Sequence, residues 1–454
     1  MFTKICLSLA LLAAMPAWSQ VAASATETAG NTVVEEDRMH TPPPVSGAAY
    51  PATIGSDARS NYLHAGLVFN TAYNDNVLAG TTTTPVSDVS YYIAPTIAID
   101  QTTSRLHQTL TYSPGFTFYQ RTSAKNEEDQ NLAFDLQYRL SPHVTANLRD
   151  NFRKSSNVFD QPYSLSGGVV SGSVQSSLVS VVAPFADQLS NTANVELTYQ
   201  FGRNGMIGAS GNFTNLHYPD PSEAPGLSDS STRGGAAFYS YRLSKTQYLG
   251  ATYQYSEISG SLPSTQSGSQ IGVDSETQTH AALAFYTVYL KPTWSVSLSG
   301  GPQHYEVSQS QFPTIRSWTP VATASMGWQG PRTTLAASYS HVVGGGGGLL
   351  GAFDSNSANG AFHWQIKRTW ALSSGLSYAS TKNVSAVMAQ ANPGGSMITG
   401  TVAMQHPISD RFSLEFEYTR LHQSYDTIAV VSNAPNTNRE SISISYQLTR
   451  PLGR

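Results

Sequence analysis

The strongest hint of catalytic chemistry in this sequence is Ser338, Ser340 and His341 followed by the glycine run Gly344–Gly348. A serine activated by a histidine, beside a loop whose N–H groups hold an oxyanion, is the equipment of a membrane-embedded lipid hydrolase. The spacing argues against it. Ser340 and His341 are adjacent, and on a strand adjacent side chains point to opposite faces. No Gly-x-Ser-x-Gly elbow is present, and the glycines lack the Gly-Lys-Ser/Thr of a phosphate loop. The run reads as a flexible outer loop, and no catalytic residue is assigned.

Metal and nucleic-acid chemistry fare no better. The 11 histidines are scattered singly, without a His-Glu-x-x-His or a close pair at ligand spacing. Glu127-Glu128-Asp129 could hold a divalent cation bridging lipopolysaccharide, but reads better as a solvated charge run in an outer loop. A net charge of −4 gives no basic footprint for nucleic acid. No cofactor or metal is expected.

A third group of charges is more informative. With a three-residue turn at Ser141–His143, symmetric pairing sets Asp135 opposite Arg149 and Asn131 opposite Arg153. Asp135, Arg139, Arg149 and Arg153 then share one face, with Glu196 nearby and Glu415 and Glu417 expected across from them. Opposed basic and acidic walls of this kind select solutes by charge. The bland alternative is a set of ion pairs that stiffen a wall.

The elements that position these charges are strands. Leu132, Phe134, Leu136 and Tyr138 alternate with Ala133, Asp135, Gln137 and Arg139; Val195, Leu197, Tyr199 and Phe201 alternate with Glu196, Thr198 and Gln200. Such two-residue alternation marks a strand with one apolar and one wet face. It recurs from 63 to 448 in about eighteen segments, with sixteen as the alternative count, among them 131–140 and a last one at 439–448. Short and long connections take turns throughout, as do the tight periplasmic turns and long outer loops of a membrane barrel. Tyr138, Trp294, Trp328, Trp370 and Phe412 sit near short turns, while Phe118, Tyr255, Trp318 and Tyr378 sit toward long loops. Two aromatic belts are what a barrel needs at its two interfaces.

Composition fits. Charged residues make up only 12% of 454 residues, and 60 Ser and 43 Thr take their place. Lys4, the apolar run Ile5 to Ala14 and small residues near Ser19 and Ala25 make 1–25 a signal peptide, cleaved after Ser19 or Ala25. The sole cysteine, Cys6, lies inside it, so the mature chain has no thiol. Residues 26–62, with Pro42-Pro43-Pro44, read as a flexible periplasmic arm, and 449–454 as a C-terminal tail.

Tyr73-Asn74-Asp75-Asn76-Val77, Tyr91-Tyr92-Ile93-Ala94-Pro95 and Leu110-Thr111-Tyr112-Ser113-Pro114-Gly115-Phe116 resemble the motifs of a porin-like outer-membrane β-barrel family often associated with exopolysaccharide systems. The resemblance covers about 63–155. It implies an outer-membrane barrel and polysaccharide passage, and it supplies no catalytic residue.

The expectation is therefore an all-β, closed antiparallel transmembrane barrel over 63–448, in the outer membrane of a diderm bacterium. Its expected partners are outer-membrane lipid, lipopolysaccharide, the barrel-assembly machinery, and polysaccharide or small polar solutes. Barrels of this size leave an aqueous lumen, so porin-like passage leads. A structural or adhesive barrel sealed by loop 155–191 is the alternative. A lipid hydrolase is a distant third, and the chain is expected not to be an enzyme.

Overall fold

The computed structural model describes residues 39, 41–46, 60–78, 84–123, 126–155, 186–224, 226–262, 273–291, 293–310, 312–384, 394–425 and 436–452. The signal peptide and most of loop 155–191 lie outside them. One turn of helix, α1 (Pro43–Ser46), precedes β1 (Ser60–Asn74), β2 (Asp88–Thr102), β3 (Leu106–Tyr119), β4 (Glu127–Arg139), β5 (Val144–Ser155) and β6 (Gln188–Phe201). Then come β7 (Gly205–His217), β8 (Asp229–Ser244), β9 (Gln247–Leu262), β10 (Val273–Lys291), β11 (Trp294–Gln309) and β12 (Ile315–Gln329). The last third holds β13 (Thr333–Gly345), β14 (Ala352–Lys367), β15 (Trp370–Asn383), β16 (Gly395–Pro407), β17 (Phe412–Tyr425) and β18 (Asn436–Pro451).

Each strand pairs antiparallel with its chain neighbours, and β1 pairs with β18 from Tyr62↔Pro451 to Asn74↔Arg439. The 18-stranded sheet is thus a closed ring with no free seam. Closure removes the unpaired edges that lipid does not tolerate.

The outward phase is apolar and uncovered. Val195 is 53% exposed, Leu298 55% and Leu376 57%, which on a soluble protein would be a large sticky surface. Aromatics rim this band: Trp294 meets Trp328 at 5.9 Å, Phe412 meets Tyr446 at 5.0 Å, and Trp370 stacks on His406 at 4.4 Å, all beside short turns. Trp318 and Trp328 lie at opposite ends of β12. At ~3.4 Å per residue and ~40° of tilt their ten-residue spacing spans roughly 25 Å of membrane. Strand number, closure and belts make this an outer-membrane β-barrel.

Three local expectations are corrected. Glu127, Glu128 and Asp129 are not an outer loop but the first residues of β4, paired with β3, with Asp129 buried. The last strand continues past 448 to Pro451, because β1 supplies partners that far. The glycine run Gly344–Gly348 is not a flexible outer loop: Gly345, Gly346, Gly347 and Gly348 are buried.

Candidate functional site

The inner wall is wet along the middle of β3–β5, while Glu196 and Thr198 on the neighbouring β6 are buried. Ser141 Oγ accepts the N–H groups of His143 and Val144 at 3.2 and 3.1 Å, fixing the β4–β5 turn and hence the register. Asp135 faces Arg149, and Asn131 faces Arg153. Arg149 Nε donates to Asp135 Oδ2 at 2.9 Å, and the two side chains remain 55% and 40% exposed. They lie on the face away from lipid, so what reaches them is lumen water. Asn147 donates to Glu196 on β6 at 3.5 Å. Arg139 shares their phase one turn nearer the periplasmic rim, opposite Thr145.

Glu415 and Glu417 also lie on the inner phase, opposite Ser443 and Ser441 of β18. They do not stand across the barrel from the arginines. The ring order β17–β18–β1–β2–β3–β4 separates them by five strand positions, little more than a quarter-turn. Closure of β1 on β18 brings the two ends of the chain together, which chain order alone places far apart.

Further round the ring, in the other direction, the wall is packed. On β9–β11 the inward residues Thr252, Gln254, Thr277, Ala281, Leu283, Phe285, Ser297 and Gln303 are all buried, Phe285 at 1% and Gln303 at 0% exposure. Phe285 lies over Gly250, its direct cross-strand partner, where no Cβ would fit. At the periplasmic end Met39 and Val45 pack with Met206, Phe238, Tyr248 and Tyr289, and Met39 N–H donates to Gln200 Oε1 at 3.2 Å. The stretch Thr41–Ser46, with α1 against β11, therefore sits on the inner wall.

At the outer end the tip of the β13–β14 hairpin leaves the wall and enters the lumen. Pairing of β13 with β12 ends at Ala322↔His341, while β13 and β14 stay paired to Gly345↔Ala352. Proline explains the departure. Pro302 and Pro320 face each other across β11 and β12. Directly opposed residues exchange either two hydrogen bonds or none, and two prolines can only do the latter. Each imide nitrogen is therefore turned to the strand on its other side. For Pro302 that strand is β10, where the ladder lacks the pairs Ala282↔Pro302 and Leu283↔Gly301. For Pro320 it is β13, which finds no donor there and departs.

Gln303 then takes the place of β12. Its Nε2 donates to the Val343 carbonyl at 2.8 Å and its Oε1 accepts the Val343 N–H at 3.0 Å. Val342 packs with Ala281, Leu283 and Val321, and Val343 with Tyr305, Val307 and Ala352. Further in, the Gly348 carbonyl accepts Ser228 N–H at 2.7 Å and Ser228 Oγ at 3.2 Å. Leu349 and Phe353 join Tyr218, Leu227 and Tyr425 in one apolar cluster across the mouth. Burial, with the Asp229 carboxylate nearby, holds the Tyr218 phenol protonated far above its ordinary range. Sequence reading missed Gln303 and Pro320; prolines inside two neighbouring strands were the available signal.

The remaining motif residues are structural. Ser340 Oγ pairs with Ser357 Oγ at 2.7 Å, whereas His341 meets Asn356 Oδ1 at 3.1 Å on the other face. Asp75 accepts the backbone N–H and side-chain amide of Asn438 at 2.7 and 2.6 Å, clasping β1 to β18 at the outer rim. Gly115 leaves room for the Tyr92 ring. The motif stretches that resemble the porin-like family thus close and pack the barrel.

No protein-family model and no curated protein match the chain. Among solved structures, it is similar to the unliganded ferric citrate transporter FecA, with 10% identity, 88% of this chain and 80% of that one covered, and a TM-score of 0.44. OccK2 (OpdF) of Pseudomonas aeruginosa is 12% identical, with 86% of this chain and 98% of that one covered, at a TM-score of 0.41. A loop-deletion mutant of OmpT, an outer membrane protein of Vibrio cholerae, is 9% identical, with 86% and 100% covered, at 0.35.

Proposed function

We propose that the barrel is a porin-like passage for polar solutes that runs along the β3–β5 wall. One observation carries this reading: the Asp135–Arg149 pair sits inside a closed barrel yet keeps 40% and 55% of its two side chains accessible. A sealed lumen has no reason to leave a charged pair that exposed. The packed β9–β11 wall narrows the opening to one side, which puts solutes against the arginines. Neighbouring Thr109, Gln137, Asn147 and Asn151 offer hydrogen bonds to hydroxyl-rich molecules, and saccharides, including polysaccharide segments, are the finer solute class we assign. Lipopolysaccharide and outer-membrane lipid are the surroundings of the apolar belt in this reading. Proteoliposome swelling in a graded series of neutral and anionic sugars tests it. Swelling that falls with solute size is the expected result; liposomes that never swell, in protein shown to be folded, would remove the passage.

A further inference from the structure

We infer that the β13–β14 tip, from Val342 to Phe353, is a gate at the outer mouth, and that Gln303 is its clasp. The inference rests on the passage reading and adds its regulation.

The tip has a second seat in the wall. Continuing the register past Ala322↔His341 would set Val342 against Val321, Val343 against Pro320 and Gly344 against Thr319. That seat is vacant: from Ile315 to Val321, among the described residues, β12 pairs with β11 alone. In the vacant seat the Val343 carbonyl would face Pro320, which has no N–H to give it. In the occupied seat Gln303 serves both groups of Val343, at 2.8 and 3.0 Å. One side chain therefore decides between two seats that bury the same strand.

The tip is built to move between them. Gly347, Gly348 and Gly351 hold φ of 56°, 104° and 109°, the left-handed region that suits glycine and lets the turn fold into the lumen. From Val342 to Phe353 there is no charged residue, so the membrane potential does no direct work on the tip. Inward, it reaches the residue before β8 through Ser228 and touches β9, where a Cβ at Gly260 would meet Leu350 Cδ1 at 3.2 Å. The closed seat is thus a bar from the β13–β14 wall to the β8–β9 wall, with apolar side chains that offer a charged solute nothing.

Two measurements on the reconstituted full-length chain carrying Cys6→Ser, so that no other thiol is present, test this. The first is independent of conductance. Leu349 is 3% exposed, and a Leu349→Cys thiol should react slowly with an aqueous maleimide. Adding Gln303→Leu removes both clasp bonds and should speed labelling roughly tenfold or more. Equal rates in a folded double variant overturn the gate.

The second is planar-bilayer conductance of Gly260→Cys/Leu350→Cys, in which a disulfide pins the tip in the seat observed. Oxidation should lower the open fraction and reductant should restore it in the same channel, with Gln303→Leu shifting it upward. A channel indifferent to both the cross-link and Gln303→Leu overturns the gate and leaves the passage standing. Faster labelling without conductance in any state keeps the moving tip and removes the passage reading instead.

Discussion

The β3–β5 wall and the β9–β12 wall are written in much the same alphabet and come out differently. Inward of β5 stand Asn147, Arg149 and Asn151, all reached by water; inward of β9 stand Thr252, Gln254 and Ser256, all buried. Both rows are polar; the residues between them are Leu148 and Asp150 on β5 and Tyr253 and Tyr255 on β9. The difference lies in what covers them. Large apolar side chains on β7–β10 (Met206, Phe238, Tyr248, Phe285) cover the packed wall, together with Met39, Val45 and the hairpin tip. Phase tells which residues face inward; only the contents of the lumen tell which of them meet water.

The sharpest way to break that comparison is to delete volume on each wall. Phe285→Ala should cost about 3–5 kcal/mol, the range for emptying a buried aromatic site. Gln137→Ala on the wet wall should stay within about 0.5 kcal/mol of the parent, as surface substitutions do. Guanidinium titration of the barrel refolded into lipid vesicles measures both. Similar costs on the two walls would mean that the packed wall is not packed in solution.

A second contrast runs between outer and inner face. Leu197 is 48% exposed to lipid, next in sequence to the inward Thr198. Leu197→Arg near the bilayer midplane should cost about 2–4 kcal/mol, while Gln137→Arg, with its side chain in the wet lumen, should cost far less. The same titrations read it, and the order should reverse if the barrel's phase were inverted.

Eighteen strands, their phase and the Asp135–Arg149 register could be read from the chain because each rests on local repetition: alternation along a strand, and a turn whose length fixes the pairing. The hairpin tip could not. Its residues Val342-Val343 followed by glycines look like the end of a strand and an open loop. What moves them inward is Pro320 on another strand and Gln303 on a third, and no local pattern joins the three. The acidic pair Glu415 and Glu417 was misplaced for a similar reason, since its neighbourhood depends on where β18 meets β1.

Prolines give the same lesson within the structure. Pro95 and Pro114 lie opposite each other between β2 and β3 with their nitrogens turned inward to one ladder, which skips three pairs between Ile93↔Phe116 and Ile97↔Tyr112 and then resumes. The strands stay together because both sides of the gap are zipped. At Pro320 the gap comes near the strand's outer end, and β13 leaves instead. Pro320→Val returns the missing N–H to the wall seat and should favour it by about 1 kcal/mol, the net worth of one hydrogen bond. Maleimide labelling of Leu349→Cys in this background should rise several-fold, a smaller gain than Gln303→Leu gives.

The smallest expected effect on stability is the most informative about passage. The Asp135–Arg149 pair is exposed, and an ion pair in that setting contributes about 0–1 kcal/mol, so replacing Arg139, Arg149 and Arg153 with Gln should leave the unfolding midpoint nearly unchanged. Permeation should respond more. Three positive charges leave a wall that keeps Asp135 and Glu196, and its local balance turns negative while its side chains stay polar. In a salt gradient the reversal potential should move toward cation preference. The shift should be largest at low ionic strength, because at about 0.01 M the screening length of about 30 Å exceeds the spacing of the wall's charges and at 1 M, where it is about 3 Å, it does not. An equal substitution on the packed side, where Gln303 and Gln254 meet no water, has no such route to selectivity. A triple variant that folds, conducts and keeps the parent's reversal potential at every salt would make the arginines stiffeners of the wall and send the solute along β17 and β18, past Glu415 and Glu417.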